Sequence, residues 1–259
     1  MAFYDVFNLT NGILTKKQPG WIEDFFDGIT GVDLPDGYPL FKYITGSFTV
    51  TFPDIKSDSK MGAYAMRDMF EYSTGLTSVS FPELTILSDS TKQCLSRCFT
   101  DCTGLQTISF PKLSYVCNYA MSHTFDGCTS LSGISFPNLG YVGEYGMSRC
   151  FDDCSGITGT INFPLLHTIK SGGMSGCFRN CSGITAVYFP SLIFDAETVE
   201  NTYNSPLGGA FYGCTDLTEI HFRQDQQQYE SYLGIQPLID QYWAASGSYN
   251  PNLQILFDL

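Results

Sequence analysis

Positive charge is scarce in this chain: 13 Lys and Arg stand against 26 Asp and Glu, for a formal net charge of −13. The few cations are spread without a basic run, which argues against a nucleic-acid backbone as partner and disfavours anionic membrane surfaces. No apolar segment approaches the roughly 20 residues that a membrane span requires, so no membrane insertion is expected. The opening Met1-Ala2-Phe3-Tyr4-Asp5-Val6-Phe7 has no basic region ahead of an apolar run, and Lys16 and Lys17 come too late to make one. The expectation is a chain without the usual secretory signal or an anchor of its own. Chemistry-bearing patterns are equally thin. There is no Gly-x-Gly-x-x-Gly, and Gly173-Met174-Ser175-Gly176 leaves Gly-x-Ser-x-Gly incomplete. His123, His167 and His221 are scattered and read as solvent-facing or hydrogen-bonded, while Asp152-Asp153 reads as a solvated edge. Catalytic residues, cofactors and metal ligands are therefore expected to be none.

What the chain does have is a period. Aligned on one aromatic residue, the copies are Phe70, Phe99, Phe125, Phe151, Phe178 and Phe211, spaced by 29, 26, 26, 27 and 33 residues. Four residues earlier stand Met66, Leu95, Met121, Met147, Met174 and Leu207; one earlier, Met69, Cys98, Thr124, Cys150, Cys177 and Ala210. Three residues later come Ser73, Cys102, Cys128, Cys154, Cys181 and Cys214. Positions i, i+3, i+4 and i+7 are thus apolar or small, the face of a two-turn helix. A turn such as Thr-Gly or Ser-Gly follows, and the period changes to alternation at Leu76, Val79 and Phe81 and their counterparts. Pro82, Pro111, Pro137, Pro164 and Pro190 each follow a strand phenylalanine and mark where the strand stops. No unit this small buries both faces alone. Stacked neighbours do, which makes the expected fold an α/β solenoid of about six helix-strand units with a parallel sheet. At strand separations of about 4.8 Å, six strands span on the order of 25–30 Å. In the linking half of each unit, pairs such as Leu113 and Val116 are also expected to point inward.

Eight of the ten cysteines fall in the two columns flanking the repeated phenylalanine, where a free thiol acts as a small apolar group. Ser73 occupies the same column with no partner changing, so core packing is favoured over inter-repeat disulfides. Zinc fits poorly, since Cys-x-x-x-Cys has no nearby histidine pair. Cys94 and Cys117 stand outside the columns and are expected to be the exposed thiols.

Three segments follow: residues 1–45 as an N-terminal cap or attachment segment, 46–223 as the solenoid, and 224–259 as a C-terminal helical cap with a final strand at Leu253, Ile255 and Phe257. Trp21, Ile22, Phe25 and Phe26 share one face of a short amphipathic helix, which either covers the first coil or attaches the solenoid to a larger assembly. An insertion, Asp195 to Pro206, is a candidate binding loop. On the outer face of the sheet one column reads Ser80, Ser109, Ser135, Asn162, Tyr188 and His221. Its neighbour ends at Glu219, with Arg223 just beyond. Large amphipathic groups dominate interface energetics, so Asn162, Tyr188, Glu219, His221 and Arg223 are the candidate partner-binding residues.

Phe99-x-x-Cys102-Thr103-Gly104-Leu105-x-x-Ile108-x-Phe110-Pro111-x-Leu113 resembles the repeat of BspA-type leucine-rich-repeat proteins, with Phe-Pro in place of the usual Ile-Pro. The likeness covers about residues 46–223, and the unit lengths are those of leucine-rich repeats, slightly long. The family is associated with bacterial surface adhesins, and similar repeats occur in tail and fibre proteins of phages and prophages. What the resemblance implies is a non-enzymatic recognition module on a virion, contacting a bacterial surface glycan or protein. The alternatives it leaves are a structural spacer or decoration docked to other virion proteins through the N-terminal segment, and a bacterial surface adhesin. A virion or extracellular setting is expected, with homo-oligomerisation within an assembly left open.

Overall fold

A computed structural model describes residues 7–10, 13–16, 41–52, 66–87, 93–193, 205–225 and 252–258, the first two by backbone alone. The amphipathic face at Trp21, Phe25 and Phe26, the insertion up to residue 204, and the helices expected between 226 and 251 lie outside the described residues.

Alternation of apolar and small polar residues produces the first wall of the solenoid. Its strands are β1 (Phe7–Thr10), β2 (Ile13–Lys16), β3 (Phe48–Thr51), β4 (Leu76–Ser80), β6 (Thr107–Ser109), β9 (Thr158–Asn162), β11 (Gly183–Phe189), β12 (Glu219–Phe222) and β13 (Gln254–Phe257). β1 and β2 pair antiparallel, and β2 then joins β3 in parallel. From β3 onward every pairing is parallel, in the orders β3-β4-β6 and β9-β11-β12-β13. Registers place like on like: Val50 beside Val79 beside Ile108, and Ile161 beside Val187 beside Ile220 beside Ile255. The wall is interrupted at residues 131–136, which are not strand. Gly133 stands there where the coils on either side carry Thr107 and Thr160, and a glycine inside a strand weakens it.

A second, narrower wall comes from the linking half of each unit: β5 (Ile86–Leu87), β7 (Tyr115–Val116), β8 (Tyr141–Val142) and β10 (Thr168–Ile169), all parallel. Leu87, Val116, Val142 and Ile169 point into the core, as the sequence pattern expects.

The third wall differs from expectation. The helix-spaced segments are runs of turns, and the described residues contain no α-helix. A left-handed backbone recurs at every fourth position: Asp68 and Tyr72, then Arg97 and Asp101, Arg149 and Asp153, Gly176 and Asn180. Each turn makes a bond to the third residue back, as from Cys102 N–H to Phe99 C=O at 3.2 Å, while alternate amides reach into the next coil. Phe70 N–H donates to Cys98 C=O, and Phe125, Phe151 and Phe178 donate to Cys150, Cys177 and Ala210, all at 2.8 Å. An α-helix consumes its amides internally; this wall spends half of them on the neighbouring coil and so hydrogen-bonds the stack together on the turn side as well. A four-residue turn is close enough to the 3.6-residue helical period that the apolar columns coincide.

Those columns are the core. Met66, Phe70, Leu95, Phe99, Met121, Phe125, Met147, Phe151, Met174 and Phe178 are fully buried. Two phenylalanine ladders run the length of the interior. The first stacks Phe70, Phe99, Phe125, Phe151, Phe178 and Phe211 at centroid spacings of 5.3 to 5.9 Å. The second joins the strand phenylalanines from Phe52 through Phe81, Phe110 and Phe136 to Phe163, Phe189, Phe222 and Phe257. Stacking also extends one coil further back than the six copies, because Phe41 lies 4.9 Å from Phe70 and its N–H donates to Met69 C=O.

All ten cysteines are free and buried. This corrects the expectation for Cys94 and Cys117, each fully enclosed. In the column after the phenylalanine, each thiol donates to the phenylalanine carbonyl of the preceding coil: Cys102 to Phe70 at 3.1 Å, Cys128 to Phe99 at 3.2 Å, Cys154 to Phe125 at 3.0 Å, Cys181 to Phe151 at 3.1 Å and Cys214 to Phe178 at 3.0 Å. The Ser73 hydroxyl donates likewise to Phe41 C=O. A small side chain with one donor is what the column requires, which explains why serine and cysteine exchange there. Burial pushes the Cys102 and Cys181 thiols up to about 12, so they remain protonated at neutral pH.

Candidate functional site

Parallel register brings four of the five candidate residues onto one patch at the C-terminal end of the first wall. Asn162, Tyr188 and His221 lie side by side on β9, β11 and β12, with Glu219 two residues along β12. The Tyr188 and His221 rings stack with centroids 4.2 Å apart and planes 8° from parallel. Arg223 turns aside: its Nε and Nη2 donate to Asp225 at 3.0 and 2.7 Å.

His221 departs from the expectation of an open outer-face side chain, being only 7% exposed. Its Nδ1 lies 2.9 Å from Asp258 Oδ1 and its Nε2 3.1 Å from Glu219 Oε2. Burial lowers the affinity of the ring for a proton, but the hydrogen bonds and charges of Asp258 and Glu219 outweigh it and hold the pKa above the usual 6.5. Sequence reasoning missed Asp258. The signal was there: Gln254-Ile255-Leu256-Phe257-Asp258 aligns with Glu219-Ile220-His221-Phe222-Arg223, which puts an acid beside the histidine's strand.

A second polar cluster lies on the turn wall. Asp126, Asp152 and Asp153 bring carboxylate oxygens within 4.8 Å of one another, a spacing that could hold a cation. Each already has a protein donor or ring partner: Asp152 the Nε of Arg179 at 3.1 Å, Asp153 the amide of Asn180 at 2.7 Å, and Asp126 the Nδ1 of His123 at 2.9 Å. Asp152 is not the solvated residue expected but is 2% exposed. Burial above all raises its carboxyl, Arg179 opposes it, and Asp126 and Asp153 add to it, leaving the carboxyl at about 6. Ser175 of the incomplete Gly-x-Ser-x-Gly donates its hydroxyl to Gly208 C=O at 2.9 Å. His167 meets the Thr168 hydroxyl at 2.9 Å. No nucleophile with an adjacent base is assembled among the described residues.

These two clusters make stability depend on pH in one direction. A carboxyl raised from 3.8 to about 6 in the fold binds its proton more tightly folded than unfolded, so stability rises as pH falls through 6. A histidine raised above 6.5 contributes stability that is full below the unfolded pKa and is lost as pH rises through the folded one. The urea midpoint is therefore expected to be higher at pH 5.5 than at pH 8, and an equal or lower midpoint at pH 5.5 contradicts the assignment.

The fold defines the class as a parallel-sheet solenoid of stacked repeats, and sequence comparison gives the family. A profile of the BspA type leucine rich repeat region matches residues 66–199 in six copies, just over half of the 259 residues. The chain belongs to this family. Among solved structures it is similar to a leucine-rich repeat protein from Bacteroides ovatus at 18% identity, with 81% of this chain and 66% of that one covered and a TM-score of 0.26. No curated protein matches the chain. Among the described residues no helix is long and apolar enough to cross a membrane.

Proposed function

We propose that the chain is a non-enzymatic recognition module, carried on a virion as a tail or fibre protein, that contacts a glycan or protein of the bacterial surface through the outer face of β9, β11 and β12. Leucine-rich repeats typically serve protein binding. The observation that carries the reading is the gradient along this face. It passes from short hydroxyls at Ser78, Ser80, Thr107 and Ser109 to the side chains of Asn162, Tyr188, His221 and Glu219, held in parallel register on a stacked core. A pre-formed face loses little conformational freedom on binding. The virion setting rests on the likeness of the repeat to phage-encoded relatives.

The test uses the purified full chain, fluorescently labelled, on bacterial cells. Tyr188→Ala is expected to weaken binding about thirtyfold, the order of a central aromatic anchor. Unchanged binding by Tyr188→Ala together with loss on Phe25→Ala transfers the role to the N-terminal segment, as a spacer or decoration docked to its particle.

A further inference from the structure

We propose that His221 and Asp258 form a pH-operated latch that fastens the C-terminal strand β13 to the sheet, closed while the imidazole carries two protons and opened when it loses one. Ionised carboxylates only accept hydrogen bonds. With Asp258 Oδ1 2.9 Å from Nδ1 and Glu219 Oε2 3.1 Å from Nε2, both contacts are hydrogen bonds only when both ring nitrogens donate. The neutral ring has one N–H, so one nitrogen then turns a lone pair onto a carboxylate, whichever tautomer forms. Tyr188 covers one face of the ring at 4.2 Å and leaves His221 7% exposed, which limits rescue by water.

β13 is the element this contact governs. Among the described residues it pairs on one side only, with β12, and Asp258 follows directly on its last residue. Its inward Ile255 and Phe257 are half-buried, whereas Ile220 and Phe222 of β12 are fully enclosed. A strand with a weaker apolar hold depends more on the polar contact at its end. The groups facing the ring are Glu219 from its own strand, Asp258 from beyond β13 and Tyr188 from β11, while Arg223 is engaged by Asp225. The upward shift of the histidine pKa agrees with a ring that favours its charged state in this setting.

Amide hydrogen exchange of the full chain, corrected for the intrinsic chemical rate, tests the latch. Protection of the β13 amides is expected to fall about tenfold between pH 6 and pH 8.5, the order of one lost hydrogen bond to a charged group, in excess of any change in β4. The midpoint should coincide with the His221 ring titration followed by NMR on the same protein. Asp258→Asn, a change at an exposed side chain, should abolish the step, and His221→Gln should do the same. Flat protection, a step equal in β4, a step that survives Asp258→Asn, or a His221 titration below pH 6.5 overturns the proposal. The assay involves no partner, so its result is independent of the recognition reading.

Discussion

Replacing Phe151 by alanine is expected to lower the unfolding free energy by about 3–5 kcal/mol, the range for deleting a buried phenyl ring from a packed core, and to split one unfolding transition into two. The ring is fully buried between Phe125 at 5.4 Å and Phe178 at 5.6 Å, with Phe136 at 6.1 Å from the opposite wall. Contacts in a solenoid run only between neighbours, so a void at this rung weakens the one interface that couples the coils before it to the coils after it. Phe211, 6% exposed, should cost less when truncated and leave a single transition. Urea denaturation followed by circular dichroism measures both variants. A loss under about 1 kcal/mol for Phe151→Ala, far below the usual cost of truncating a packed ring, contradicts the stacked interior.

The turn wall makes a prediction of opposite sign at two positions in one column. Gly176 has φ of +62° and Arg149 has φ of 51° in the corresponding place one coil earlier. Gly176→Val puts a β-branched residue into left-handed backbone and should cost about 2 kcal/mol or more. Arg149→Gly removes that strain and should gain about 0.5 kcal/mol, net of the added freedom of the unfolded chain. In an α-helix the second change would instead cost about 1 kcal/mol. The sign of the Arg149→Gly effect on the urea midpoint thus separates turns from helix.

The stacking of coils was legible from the columns because burial depends on which residues face inward, and a four-residue turn and a helix share that pattern. The local structure was not legible for the same reason. One consequence was the misplacement of Cys94, five residues before Phe99. In a helix that offset points about 140° away from the buried anchor, whereas successive tight turns leave it enclosed. The earlier coil was present in plain text as Phe41-x-x-Ile44-Thr45-Gly46, 29 residues ahead of Phe70, but Ile44 replaces the cysteine or serine that marks the other copies. At the candidate site, the column Asn162, Tyr188 and His221 followed from alternation alone. The enclosure of His221 did not, because it needs the register of β12 against β13, which brings in Asp258 from 37 residues away.

The shared interior is tested most directly by counting reactive thiols. All ten cysteines are buried, and burial raises the pKa of those in both columns, as at Cys98, Cys150 and Cys177. Thiols react as thiolates and only when reached by reagent. A chromogenic disulfide at neutral pH is expected to modify none of them in the native protein and all ten in urea. Prompt native reaction of any column thiol would place those columns in water and contradict the stacked coils, and prompt reaction of Cys94 or Cys117 would contradict their enclosure beside them.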